Sequence, residues 1–220
     1  MKYYPIFLDL RGRRCVVVGG GQVAERKVEA LVEAAAKVTI VSPDLTPALR
    51  RLVKKRRVSY LPRRYCKGDL KGYFLAYGAT DDSRTHRLMA GEAEKEDVLI
   101  NVVDRPALCH FIAPAIVRRG DLILAISTSG ASPALAKKLR QELEQTFGRE
   151  YAEALRFLRS LRKKLMGSSF SLSERQRILT DLVRSSMVSY LRKGKKRELK
   201  GLMTRILGRK RRLSELGIRL

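Results

Sequence analysis

Cys15-Val16-Val17-Val18-Gly19-Gly20-Gly21-Gln22-Val23-Ala24 passes from a β-branched apolar run into three glycines, and Ala24-Glu25-Arg26-Lys27-Val28-Glu29-Ala30-Leu31 continues it as a helix. Gly19, Gly21 and Ala24 fit the G-x-G-x-x-A form of the dinucleotide fingerprint. Each position has a physical task. Gly19 permits the tight turn off the strand, Gly21 lets the backbone approach a pyrophosphate, and small Ala24 lets the helix pack on the strand. The free N–H groups and positive end of the helix dipole then face the phosphates, beginning at Gln22 and Val23. A second apolar strand, Val38-Thr39-Ile40-Val41, follows the helix, as the motif requires.

Working outward, further strands are predicted at Val58–Leu61, Phe74–Ala79, Val98–Val103 and Leu122–Ile126, with helices at 22–34, 46–56 and 82–96. This alternation predicts an α/β fold, a doubly wound parallel sheet of Rossmann type. Asp81, followed by Asp82 and Ser83, suits the N-cap of the third helix. Pro114-Ala115-Ile116-Val117-Arg118-Arg119 reads as a short helical pattern. Ser132 and Pro133 open a helix to about Phe147, with Leu135, Leu139 and Leu143 on one stripe. From Glu150 onward the pattern is helical only, with breaks at Gly167-Ser168-Ser169, near Gly194 and at Gly208, and a helix start at Ser171-Leu172-Ser173-Glu174. Three regions are expected: 1–113 as the dinucleotide-binding domain, 114–148 as a dimerisation segment, and 149–220 as a basic all-helical domain.

The 220 residues carry a net charge of +25. Residues 151–220 hold 20 Lys and Arg against 5 Asp and Glu. Such a tail attracts nucleic acid, an anionic membrane surface or a polycarboxylate, or it is a solvated helical face. No apolar stretch approaches the roughly 20 residues of a membrane span, and the N-terminus lacks a signal-peptide core. Cys15, Cys66 and Cys109 have no metal-ligand spacing and cannot all pair, which points to a reducing cytoplasm without disulfides or structural zinc.

Tyr4-Pro5-Ile6-Phe7-Leu8-Asp9-Leu10-Arg11-Gly12-Arg13 leads into the glycine strand, and Gly19–Lys27 contains a GGG-x-VA-x-RK pattern. Ala79-Thr80-Asp81-Asp82, Asn101-Val102-Val103-Asp104, Phe111-Ile112-Ala113-Pro114-Ala115 and Ser127-Thr128-Ser129-Gly130-Ala131-Ser132-Pro133 follow in order. Together these strongly resemble the precorrin-2 dehydrogenase / sirohydrochlorin ferrochelatase family, the N-terminal half of sirohaem synthase. The likeness is dense over residues 4–145 and only architectural over 150–220. The methyltransferase half of fused sirohaem synthases has no counterpart in the sequence. The resemblance implies NAD-dependent oxidation of precorrin-2 to sirohydrochlorin, in some members followed by insertion of ferrous iron to give sirohaem. It also implies an intertwined homodimer, here through residues of roughly 114–147.

Asp44, after Ser42-Pro43 at the end of the second strand, lies some 20 positions beyond the fingerprint, where an acidic residue accepts ribose hydroxyls and disfavours a 2′-phosphate. Its other reading is a helix cap before Thr46-Pro47. Thr80 ends the fourth strand, where the nicotinamide side of such a cleft is built. Asp104 ends the fifth strand at the carboxyl edge, and the resemblance puts the general base or chelation carboxylate there; strand-end turn residue is its other reading. His110 departs from the acidic residue the family often carries at its position; an imidazole there shuttles a proton, makes a surface contact or meets a substrate carboxylate. Ser127, Thr128 and Ser129 either hold a substrate carboxylate or cap the next helix. Some relatives carry a phosphorylated serine at the position of Thr128, a modification the resemblance does not carry over. Cys109 reads as a packed thiol.

The rival reading is an NAD-responsive binding module whose basic tail contacts nucleic acid. No helix-turn-helix or aromatic stacking pattern is evident in residues 151–220, and Asp104 and the 127–133 loop would have no task.

Overall fold

Four of the five residues of β1 (Arg14–Val18) are buried, because the strand is central in a parallel sheet covered on both faces. The computed structural model describes residues 2–207. The chain divides at Ala113/Pro114 into two compact units.

In the first unit β1 pairs in parallel with β2 (Lys37–Val41) on one side and β4 (Leu75–Gly78) on the other. β3 (Ser59–Leu61) and β5 (Leu99–Val102) complete the order β3-β2-β1-β4-β5. Helix α1 (Gln22–Glu33) buries Ala24, Val28 and Leu31 on one face with Cys15, Val17 and Ile40. Helix α2 (Pro47–Lys54) adds Leu49 to the same layer. Helix α3 (Ser83–Lys95) covers the other face, with Met89 and Ala93 packed on Val16, Ala76 and Ile100. Burial around Cys15 pushes its thiol up to about 11, as expected of an inert core residue.

The long connection between β3 and β4 is held by one carboxylate. Glu92 on α3 is buried and accepts hydrogen bonds from Leu70 N at 2.8 Å, Gly68 N at 3.0 Å and the Tyr65 hydroxyl. Arg63 and Asp69 brace the same loop through a two-pronged pair at 2.7 Å, which lowers the Asp69 carboxyl below its usual range.

The second unit departs from the sequence reading in two places. Residues Ala115–Arg119 form a strand, β6, instead of a helical turn. Leu122–Ile126 (β7) pairs antiparallel with β6 in its own two-stranded sheet and does not join the parallel one. The cause is local: Ile116 and Val117 favour extended backbone, and Gly120 at φ +63° supplies the first central residue of a two-residue hairpin turn. Helix α4 (Pro133–Thr146) is capped by Ser132, whose hydroxyl accepts Leu135 N at 3.1 Å. Its last carbonyls are held by Arg119, which donates to Phe147 O and Glu144 O.

Four helices follow: α5 (Glu150–Met166), α6 (Leu172–Arg184), α7 (Met187–Arg192) and α8 (Lys196–Leu207). They share a core of Leu161, Leu165, Ile178, Leu182, Met187 and Met203. Ser171 and Glu174 make a reciprocal capping box at the start of α6. The α6–α7 break at Ser185–Ser186 lacks the glycine that marks the other two, and the expected break at Gly208 lies outside the described residues. Among the described residues no helix is long and apolar enough to cross a membrane.

Replacing Glu92 by Ala strands two backbone N–H groups and a phenol inside the fold, at a cost on the order of 3 kcal/mol. The urea midpoint followed by circular dichroism should fall accordingly, and Glu92→Gln, which keeps one acceptor oxygen, should lose less.

Candidate active site

Four strand ends meet at the carboxyl edge of the sheet. The register sets Gly78 beside Val102, and Val103 N donates to Gly78 O at 2.9 Å, so Thr80 and Asp104 stand on adjacent strand extensions. Gly19 N donates to Val41 O, and Thr46 N donates to Gly20 O, which brings the β2 end to the other side of the glycine turn. Pro43, Asp44, Gly19, Gly21, Thr80 and Asp104 therefore share one edge, with Gln22 and Val23 opening α1 above it.

The three glycines do different work. Gly19 has φ +122°, and a Cβ on it would lie 2.1 Å from Ala79 O. A Cβ on Gly20 would lie 1.8 Å from Asp44 O. Both are sealed against neighbouring backbone. Gly21 is the opposite case: no atom stands within 4 Å of where its Cβ would be. Gly21 is also the N-cap of α1 and offers no side-chain cap, so the N-terminal N–H groups of the helix open onto that space. A glycine-walled opening at an uncapped helix N-terminus fits a dinucleotide pyrophosphate.

Asp44 is exposed, and its backbone carbonyl accepts the Ser42 hydroxyl at 2.7 Å. It does not cap α2; Thr46 does, accepting Leu49 N at 3.2 Å and donating to Glu25 at 2.5 Å. The Asp44 carboxylate makes no hydrogen bond or ion pair among the described residues. The N-cap of α3 is Asp82 in place of Asp81, because Asp82 accepts Arg84 N and the Thr85 hydroxyl, which hold its carboxyl below the usual range. Asp104 is exposed at φ +58°, a left-handed conformation that Asp and Asn tolerate best among side-chain-bearing residues.

His110 lies elsewhere. After the short 3-10 turn Pro106–Leu108 the chain runs back along β5, with Cys109 Sγ at 3.2 Å from both Val102 N and Val102 O. His110 N then donates to Ile100 O, and its ring pairs with Glu94 at 2.8 Å in the last turn of α3. The imidazole is on the amino-terminal side of the sheet, apart from Thr80 and Asp104. In the second unit, Thr128 Oγ1 accepts Ser132 N and donates to Ser132 O, both at 3.1 Å, and Ser127 Oγ accepts Ser129 N. Those two hydroxyls shape the turn before α4.

Three groups were given no individual task by the sequence reading. Gly20 occupies a variable position of the fingerprint, and only the fold shows that it must be glycine. His86, at the start of α3, is buried with neither ring nitrogen paired within the described protein, and its Cδ2 lies 3.5 Å from the Gly78 Cβ position. Lys27, the last residue of the fingerprint pattern, sets its ammonium 4.9 Å from the Tyr77 ring centroid, and burial lowers its pKa.

Fold and edge geometry define a dinucleotide-binding domain of Rossmann type. Residues 6–115 match the family described as "Putative NAD(P)-binding", and residues 119–146 match "Sirohaem biosynthesis protein central". The chain belongs to this NAD(P)-binding family and carries the central segment of sirohaem biosynthesis proteins. The siroheme synthase of Methylobacillus flagellatus is 40% identical over 182 residues, 81% of this chain and 38% of the relative. That of Pseudoalteromonas atlantica is 33% identical over 203 residues, 92% of this chain and 44% of the relative. The chain thus spans less than half the length of these relatives. A solved structure titled "SirC, precorrin-2 dehydrogenase" superposes with a TM-score of 0.80 at 27% identity, covering 93% of this chain and 98% of that one.

The glycines make a separable prediction. Gly21→Ala should leave the melting temperature within about 1 °C, since the methyl meets nothing, yet weaken NAD binding by isothermal titration at least tenfold. Gly20→Ala should lower both stability and affinity, because backbone must move to admit the methyl.

Proposed function

We propose that this protein oxidises precorrin-2 to sirohydrochlorin, with NAD as hydride acceptor and Asp104 as proton acceptor. The observation that carries the reading is the shared edge: Asp104 stands on the strand extension beside Thr80, with β4 between it and the glycine turn. The substrate loses a hydride and a proton. NAD, when bound, supplies the nicotinamide that takes the hydride. The chain's own residues hold the parts: the α1 N-terminus orients the pyrophosphate, Asp44 takes the adenosine ribose, and the Asp104 carboxylate accepts the ring proton and passes it to solvent. The pair of SirC and the siroheme synthases supports the substrate class. Ferrous iron is a second substrate in this reading, with Asp104 removing pyrrole protons as the metal enters.

Ser129, whose hydroxyl has no partner among the described residues, is the member of the 127–129 loop left for a substrate carboxylate. His110 is left a structural pairing with Glu94 in place of a role on substrate. We also propose a homodimer through residues 114–148. No residue of α4 is fully buried, Leu135 is exposed, and Ile116 and Ile123 stand exposed on the outer hairpin face. Nothing in the fold favours the nucleic-acid module.

Asp104→Asn keeps the left-handed backbone and the side-chain shape, so fold and NAD affinity should be retained. Anaerobic spectra should show precorrin-2 oxidation slowed on the order of 10²-fold, while His110→Asn stays within a few-fold. Near-normal turnover in Asp104→Asn would remove it from the reaction. The same assay with and without ferrous iron separates oxidation from iron insertion.

Asp44 should make NAD at least tenfold better than NADP in kcat/KM, because the added phosphate meets a carboxylate. Light scattering at micromolar protein should return twice the chain mass, and a monomer mass would end the dimer proposal.

A further inference from the structure

Helices α6 and α8 enclose an open groove of about 510 Å³ in the second unit. Arg177 and Arg184 reach it from α6 and Arg205 from α8, over a floor of Leu202 and Ile206. Leu202 is buried, and Ile206 packs on the helical core, so the floor is fixed. Among the described residues none of the three arginines makes an ion pair or hydrogen bond. All three are exposed, and three like charges gathered at one groove build a positive potential that an anion relieves. Neighbouring charges in this domain do find partners: Arg192 holds Glu150 at 2.7 Å and Arg159 holds Asp121.

The arrangement also selects among anions. Arg177 and Arg184 are two helical turns apart, about 10 Å along the axis. Asp181 lies between them on the same face and lines the groove. Its carboxylate repels a compact charge placed at the centre, as in a polyphosphate. A ligand whose negative groups are spread around an apolar body avoids Asp181, meets the guanidiniums as planar bidentate partners and covers the leucine and isoleucine.

We propose that the α6–α8 groove of the second unit is a binding site for a polycarboxylated macrocycle, at which substrate or product tetrapyrrole is held. The choice of tetrapyrrole rests on the function proposed above, whereas the ligand chemistry rests on the groove alone. Such a site gives the basic second unit a definite task.

The test uses the full chain and uroporphyrin as a polycarboxylated probe, followed by its fluorescence anisotropy in moderate salt. A saturable component should be present that weakens at least tenfold in the double variant Arg184→Ala/Arg205→Ala. It should not change in Arg162→Ala/Lys163→Ala, which removes equal charge from α5. Tripolyphosphate should compete at least tenfold more weakly than uroporphyrin itself. Equal loss in both double variants, tripolyphosphate competing as well as the porphyrin, or no saturable binding would each overturn the proposal. Precorrin-2 turnover is scored separately. Groove binding without turnover leaves the site and rejects the proposed reaction; turnover without groove binding does the reverse.

Discussion

Two glycine α-carbons wedged between carbonyl groups hold the first unit together. Gly19 abuts Ala79 at the end of β4, and Gly20 abuts Asp44 beyond β2, so the glycine turn closes on strands from both sides. No side chain fits at either place. The ends of β2, β1 and β4 are thereby drawn to one line, and the opening above Gly21 exists because its two neighbours are shut. Asp104 joins the line through a single further ladder bond, Val103 N to Gly78 O.

A similar economy governs charge. The first unit uses its buried carboxylate, Glu92, to satisfy loop backbone. Capping duties fall to Thr46 and Asp82, which leaves Asp44 and Asp104 without internal obligations. In the second unit some basic residues tie helices, such as Arg192 on Glu150, while Arg177, Arg184 and Arg205 line the α6–α8 groove.

The sequence was most legible where one period ran long enough to exclude another. The runs at Val16–Val18 and Val38–Val41 are β-branched and flanked by glycine or helix, and each became a parallel strand. Five residues, Ala115–Arg119, serve a helical turn or a strand equally well, and the Gly120-Asp121 turn decided between them. Position along a strand was readable, and the structure brings Asp44, Thr80 and Asp104 to one sheet edge. The site was unreadable where it depended on what approaches from elsewhere. Gly20 is an unmarked letter in the fingerprint until Asp44 is beside it. His110 sits six residues after Asp104 in sequence, yet the chain reverses through bonds to the Cys109 thiol, a signal no turn motif carries. The arginine groove exists only once α8 lies on α6.

The strand order has a kinetic consequence. β1 finds β2 after one helix, but its other neighbour, β4, arrives only after residues 19–74 have been looped out. Parallel pairings of this kind close long loops before they gain contacts. The second unit closes its hairpin over two residues and packs helices that are next, or next but one, in the chain. On a refolding chain the helical unit assembles quickly, and the sheet waits with β1 half-paired. A central strand laid down early and completed late is the segment a chaperone would meet first.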